Sequence, residues 1–92
     1  MNRKDLQEAL QREHIKERCY SLEAKNFDPD EALCLRQEEG HWVVFYSERG
    51  LKTGKRAFAT EAEACLYMLE TLRFDPTTRV GWNSGFRVPG GA

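Results

Sequence analysis

One strand-like stretch, HWVVFYSERG at residues 41–50, constrains this chain more than any other. Trp42, Val43, Val44, Phe45 and Tyr46 are the aromatic and β-branched types that fit a pleated strand. Side chains alternate between the two faces of a strand, so Trp42, Val44 and Tyr46 point one way and Val43 and Phe45 the other. A sheet with one face in water alternates apolar and polar residues. This one is apolar on both sides and needs cover on both. A chain of 92 residues holds one domain, so the cover must come from a few flanking elements or from a partner.

The flanks supply candidates. Residues 3–14 read as a helix with Leu6, Ala9 and Leu10 at helical spacing. Asn2 is its expected N-cap, with Asp5 three residues on. Ile15, Cys19, Tyr20 and Leu22 continue the apolar signal without a clear period. Asn26-Phe27-Asp28-Pro29-Asp30 is turn chemistry. A first strand follows at Ala32–Arg36, a turn at Glu38-Glu39-Gly40, and the second strand at 41–47. Glu48-Arg49-Gly50 makes another turn, and 51–58 (LKTGKRAF) a third strand whose charges suit a sheet edge.

The clearest helix signal comes next. Thr60 and Glu63 form a capping-box pattern. Ala62, Cys65, Leu66, Leu69 and Leu72 then give one apolar stripe, widened by Met68, and Asp75-Pro76 ends it. The expected fold is α+β: a three-stranded antiparallel meander between an N-terminal and a C-terminal helix, within a single domain of residues 1–76. Two such helices would cover the two faces of the sheet and account for the doubly apolar strand. Residues 77–92, with three glycines in the last eight positions, read as a flexible tail. Trp82, Phe86 and Val88 are its residues able to dock on the body.

Composition enters through what it excludes. No apolar run approaches the roughly 20 residues that span a bilayer, and MNRKDLQEAL lacks the apolar core of a signal peptide. The expected location is the cytoplasm. Cys19, Cys34 and Cys65 are odd in number and not spaced as a metal knuckle, so they read as small hydrophobes. No metal or cofactor is expected. His14 and His41 sit in no zinc pattern, Ser47 lacks the glycines of a nucleophile elbow, and Gly50-Leu51-Lys52-Thr53-Gly54 lacks the ending of a phosphate loop. Catalysis is not expected.

The net charge is −1, but it is unevenly laid out. Residues 21–40 carry six acids, Glu23, Asp28, Asp30, Glu31, Glu38 and Glu39, against Lys25 and Arg36. Residues 41–60 carry four bases, Arg49, Lys52, Lys55 and Arg56, against Glu48. Such polarity governs encounter with charged partners.

Two resemblances follow. The pattern G-H-W-V-V-F…G-K-R-A-F-A-T-E-A-E-A-C, residues 40–65, resembles the sheet-and-helix arrangement of plant ethylene-response-type and phage-integrase-type DNA-binding domains. Those sheets read the major groove with outward basic and aromatic side chains. Here no Arg or Lys stands between His41 and Ser47, and acids flank the first strand. Both features oppose a phosphate backbone. The longer run Y-S-L-E…D-P-D-E-A-L-C-L-R-Q-E-E-G-H-W-V-V-F-Y-S-E-R-G…F-A-T-E-A-E-A-C is similar to the small immunity proteins encoded beside bacterial polymorphic toxins, those of contact-dependent inhibition and type VI secretion. Glu31, Ala32, Leu35, Gly40, Trp42, Val44, Tyr46, Ser47, Glu48, Arg49, Gly50, Phe58, Glu61, Glu63, Ala64 and Cys65 carry it.

That resemblance implies a protein that binds a cognate toxin domain, such as a nuclease with a basic cleft, and occludes its active site. The candidate partner-binding residues are Glu23, Asp28, Asp30, Glu31, Glu38, Glu39, Tyr46, Glu48 and Arg49. Acids steer association with a basic cleft, and aromatics anchor interfaces. A sheet-based DNA-binding module and a homodimer closed over the second sheet face are the alternatives.

Overall fold

Two tight turns organise the sheet. Each joins strands through two residues, both with positive φ: Glu39 (47°) with Gly40 (85°), and Arg49 (53°) with Gly50 (79°). This is the type I′ pattern, whose twist matches that of the flanking strands. Glycine takes the second position without the steric cost an L side chain meets there.

The computed structural model describes residues 1–23, 29–75 and 78. Helix α1 spans Arg3–Arg12, followed by a 3-10 turn at Glu17–Cys19. Four strands follow, β1 (Tyr20–Ser21), β2 (Ala32–Glu38), β3 (His41–Glu48) and β4 (Leu51–Phe58), and helix α2 spans Glu61–Arg73. The order in the sheet is β1-β2-β3-β4. β2, β3 and β4 form an antiparallel meander, as expected, with Leu35 opposite Val44 and Trp42 opposite Phe58. The sheet is nevertheless mixed and four-stranded. β1 pairs parallel to β2, Tyr20 beside Leu33 and Ser21 beside Cys34. Two residues carry no readable period, which is why this strand escapes a sequence reading.

The caps form much as the sequence dictates. The Asn2 side chain accepts from the Asp5 amide and the Asp5 carboxylate accepts from the Asn2 amide, closing a full capping box. At α2 the Thr60 hydroxyl accepts from the Glu63 amide at 3.2 Å, but the Glu63 carboxylate meets that hydroxyl at 3.3 Å rather than the Thr60 amide.

Both helices lie on the same face of the sheet, contrary to the expectation of one on each. Leu6 and Leu10 of α1 and Met68, Leu69 and Leu72 of α2 share one buried cluster with Leu33, Leu35 and Val44. Trp42 and Phe58 pack half-buried at its border. The two helices run side by side in the same direction. Near their starts the Arg3 amide donates to the Glu61 carboxylate at 2.9 Å. Near their ends Arg73 donates to Glu13, its Nε at 3.0 and 2.9 Å from the two carboxylate oxygens. α1 packs against α2 because its stripe is only three residues wide, Leu6, Ala9 and Leu10, too narrow to cover a sheet face alone.

The buried stripe of α2 is Ala64, Cys65, Met68, Leu69 and Leu72. Ala62 and Leu66, expected in it, are exposed. On the other face Ala32, Cys34, Val43 and Phe45 form a second cluster, each at 0% exposure. Among the described residues neither helix packs over it. The tail expected from residue 77 lies outside the described residues except for Thr78. That residue is buried, and its hydroxyl donates to the Leu72 carbonyl at 2.8 Å. Trp82, Phe86 and Val88 also lie outside them.

Candidate protein-binding surface

At the β3–β4 turn, one carboxylate fastens two segments together. Oδ1 of Asp30, just before β2, accepts the backbone N–H of Arg49 at 2.6 Å. Glu31 follows with φ of 55°, so this end of the sheet holds two non-glycine residues in the left-handed region, Glu31 and Arg49. The tie is charge-assisted and stronger than a neutral hydrogen bond. It sets Asp30, Glu31, Glu48 and Arg49 around the last turn of the hairpin.

Tyr46 stands beside them. It lies on the helix-bearing face with Trp42 and Val44 and is 36% exposed. Burial of part of the ring pushes its phenol up, and the carboxylates of Glu31, Glu48 and Asp30 push it the same way. The hydroxyl therefore remains protonated and able to donate. Tyr46 opens onto a groove of about 540 Å³ between this end of the sheet and the end of α2. Asp30, Glu31 and Asp75 line it, with Lys16 and Arg18 on the side of the 3-10 turn. Cys19 reaches the same groove, its thiol pushed up by burial.

Five of the nine candidate residues thus gather at one end: Asp30, Glu31, Tyr46, Glu48 and Arg49. Glu38 and Glu39 sit at the opposite end, in and beside the β2–β3 turn, separated from them by the length of β3. Glu38 is engaged there by Lys55 at 2.9 Å, which lowers its carboxyl. Glu23 follows β1 and borders a different groove, of about 1040 Å³, along α1. Asp28 lies outside the described residues. The sequence reading missed Arg18, Cys19 and Asp75, which come from segments without periodicity and reach the groove only through the tertiary fold.

Among the described residues, one buried side-chain polar atom at the α1 groove lacks a hydrogen-bond partner. Tyr20 lines the groove, is 8% exposed, and its hydroxyl is buried with no hydrogen bond. Cys34 and Cys65 are buried, and none of the three cysteines is in a disulfide. Among the described residues, no group of three or more His, Cys, Asp or Glu side chains is arranged to hold a metal ion. No described helix is long and apolar enough to cross a membrane.

Comparison with protein-family models, curated proteins and solved structures finds no match to this chain.

Proposed function

We propose that the chain is a cytoplasmic immunity protein: it binds a cognate bacterial toxin domain, a nuclease, and occludes its active site. The observation that carries this reading is the convergence of Asp30, Glu31 and Glu48 around the exposed ring of Tyr46. An exposed aromatic ringed by acids is suited to a basic, concave partner surface. The ring supplies buried contact area, and the acids raise the encounter rate and pair with Arg or Lys. Arg49, held in a fixed turn by Asp30, adds one positive point that restricts which partner surface fits.

The test is binding of the purified chain to the C-terminal domain of the toxin encoded beside it. The expected result is a 1:1 complex that abolishes the toxin's nuclease activity, with an association rate that falls as salt rises. Tyr46→Ala should weaken the complex by at least tenfold without altering the fold. Absence of affinity for that domain removes the reading.

A further inference from the structure

β4 has β3 on one side and, among the described residues, no strand on the other. Seven of its eight residues are exposed, and only Phe58 is half-buried. A strand edge of this length is a template for pairing with another extended segment. Its basic side chains do not obstruct that edge. Arg56 lies over the Tyr67 ring, with its guanidinium carbon 5.4 Å from the centroid. Lys52 lies over the Phe45 ring at 4.9 Å, and Lys55 reaches across to Glu38. All three turn inward over the faces of the sheet. Among the described residues no strand pairs with the outer side of the main chain between them, and Gly54, with φ of 64° at the irregularity opposite Phe45, leaves nothing within 4 Å of where a Cβ would stand.

We infer that the outer edge of β4 receives an extended, acidic segment of another protein, added as a fifth strand. LKTGKRAF carries three bases and no acid. A second copy pairing through its own β4 would set Lys and Arg against Lys and Arg, and like charges across strands are destabilising. An acidic strand meets the opposite situation: its backbone completes the open ladder, and its carboxylates lie beside Lys52 and Lys55 on one face. Thr53 of β4 stands opposite Tyr46, so this edge adjoins the Tyr46 surface; the inference rests on the β4 main chain and its bases and not on the toxin-binding reading.

The test uses the full chain and two ten-residue peptides, one alternating glutamate and threonine, the other alternating lysine and threonine. Alternation puts all charges on one face of a strand. The glutamate peptide should bind saturably and slow hydrogen exchange at alternate amides of β4, a main-chain signal that loose charge attraction does not produce. Lys52→Glu with Lys55→Glu should weaken that peptide at least tenfold and create affinity for the lysine peptide, with the melting curve checked to remain cooperative. Equal binding of both peptides to the native chain, or binding without protection of β4 amides, overturns the inference. So does no binding at millimolar peptide, or a concentration-dependent dimer that protects the same amides.

Discussion

Phe45 has no exposed surface, yet among the described residues neither helix lies over its face of the sheet. If that face is core in the energetic sense, Phe45→Ala should lower stability by about 3–5 kcal/mol, as for an aromatic in a packed interior. Leu35→Ala on the helix-bearing face should cost about 2–5 kcal/mol. Urea denaturation of the two variants measures both, and a Phe45→Ala shift near zero would show that the second face contributes no packing. Cys65 gives a pH-dependent counterpart. Burial beneath α1 pushes its thiol up to about 11, from 9.0. Below pH 9 the thiol is protonated in both the folded and the unfolded chain. Between 9 and 11 the unfolded chain releases the proton first, so stability should fall by ~2–3 kcal/mol across that window. The decline should be blunted in Cys65→Ala, measured by denaturant midpoints at pH 8, 9, 10 and 11.

At the scale of elements, the turns offer the sharpest test. Arg49 and Glu39 each precede a glycine in a turn whose first central position has positive φ. Asparagine is the better residue there, since its short polar side chain tolerates the left-handed region. Glu39→Asn should raise stability by about 0.5–1 kcal/mol. Arg49→Asn should do the same, because the amide that Asp30 accepts belongs to the backbone and survives the change. Asp30→Ala should lower stability by about 1 kcal/mol and loosen the β3–β4 turn in hydrogen exchange.

The elements also show what a linear reading reaches. The capping residues Asn2 and Thr60, the two X-Gly turns and the meander were legible, because each depends on neighbours in sequence. β1 was not, since its existence depends on Leu33 and Cys34, more than ten residues away. The side on which α1 docks was not legible either. Leu6 and Leu10 announce an apolar stripe but not which surface receives it. The stripe of α2 lies off the line that spacing predicts: Leu66 and Ala62 fit helical spacing with Leu69, but the buried side is centred on Cys65, Met68 and Leu72. Of the candidate surface, Asp30, Glu31, Tyr46, Glu48 and Arg49 converge because two segments meet at one turn. Glu38 and Glu39 belong to the same acidic run in sequence, yet an antiparallel hairpin carries them to the far end.

For the whole molecule, the arrangement of charge matters more than its sum. The net charge of −1 conceals an acidic end around Tyr46 and a basic edge along β4. On the proposed toxin-binding reading, Glu31→Gln with Glu48→Gln should slow association with the partner several-fold at low salt. The difference should vanish near 0.5 M salt, where the screening length is a few ångströms. Stopped-flow rates at two ionic strengths read this directly, and a rate insensitive to both changes would detach the acidic end from partner encounter.

The side-by-side helices have a consequence for the chain as it is made. Beyond its own caps, α1 is tied at its ends to residues 58 and 60 positions later, Arg3 with Glu61 and Glu13 with Arg73. A ribosome working at about 5–20 residues per second delivers that partner roughly 3–12 s after α1 emerges. Ten residues of thin-striped helix do not hold their shape alone in water for that long. Leu6 and Leu10 thus spend those seconds in an open, unpacked segment, and α2 is the last element needed to bring the earliest one into the fold.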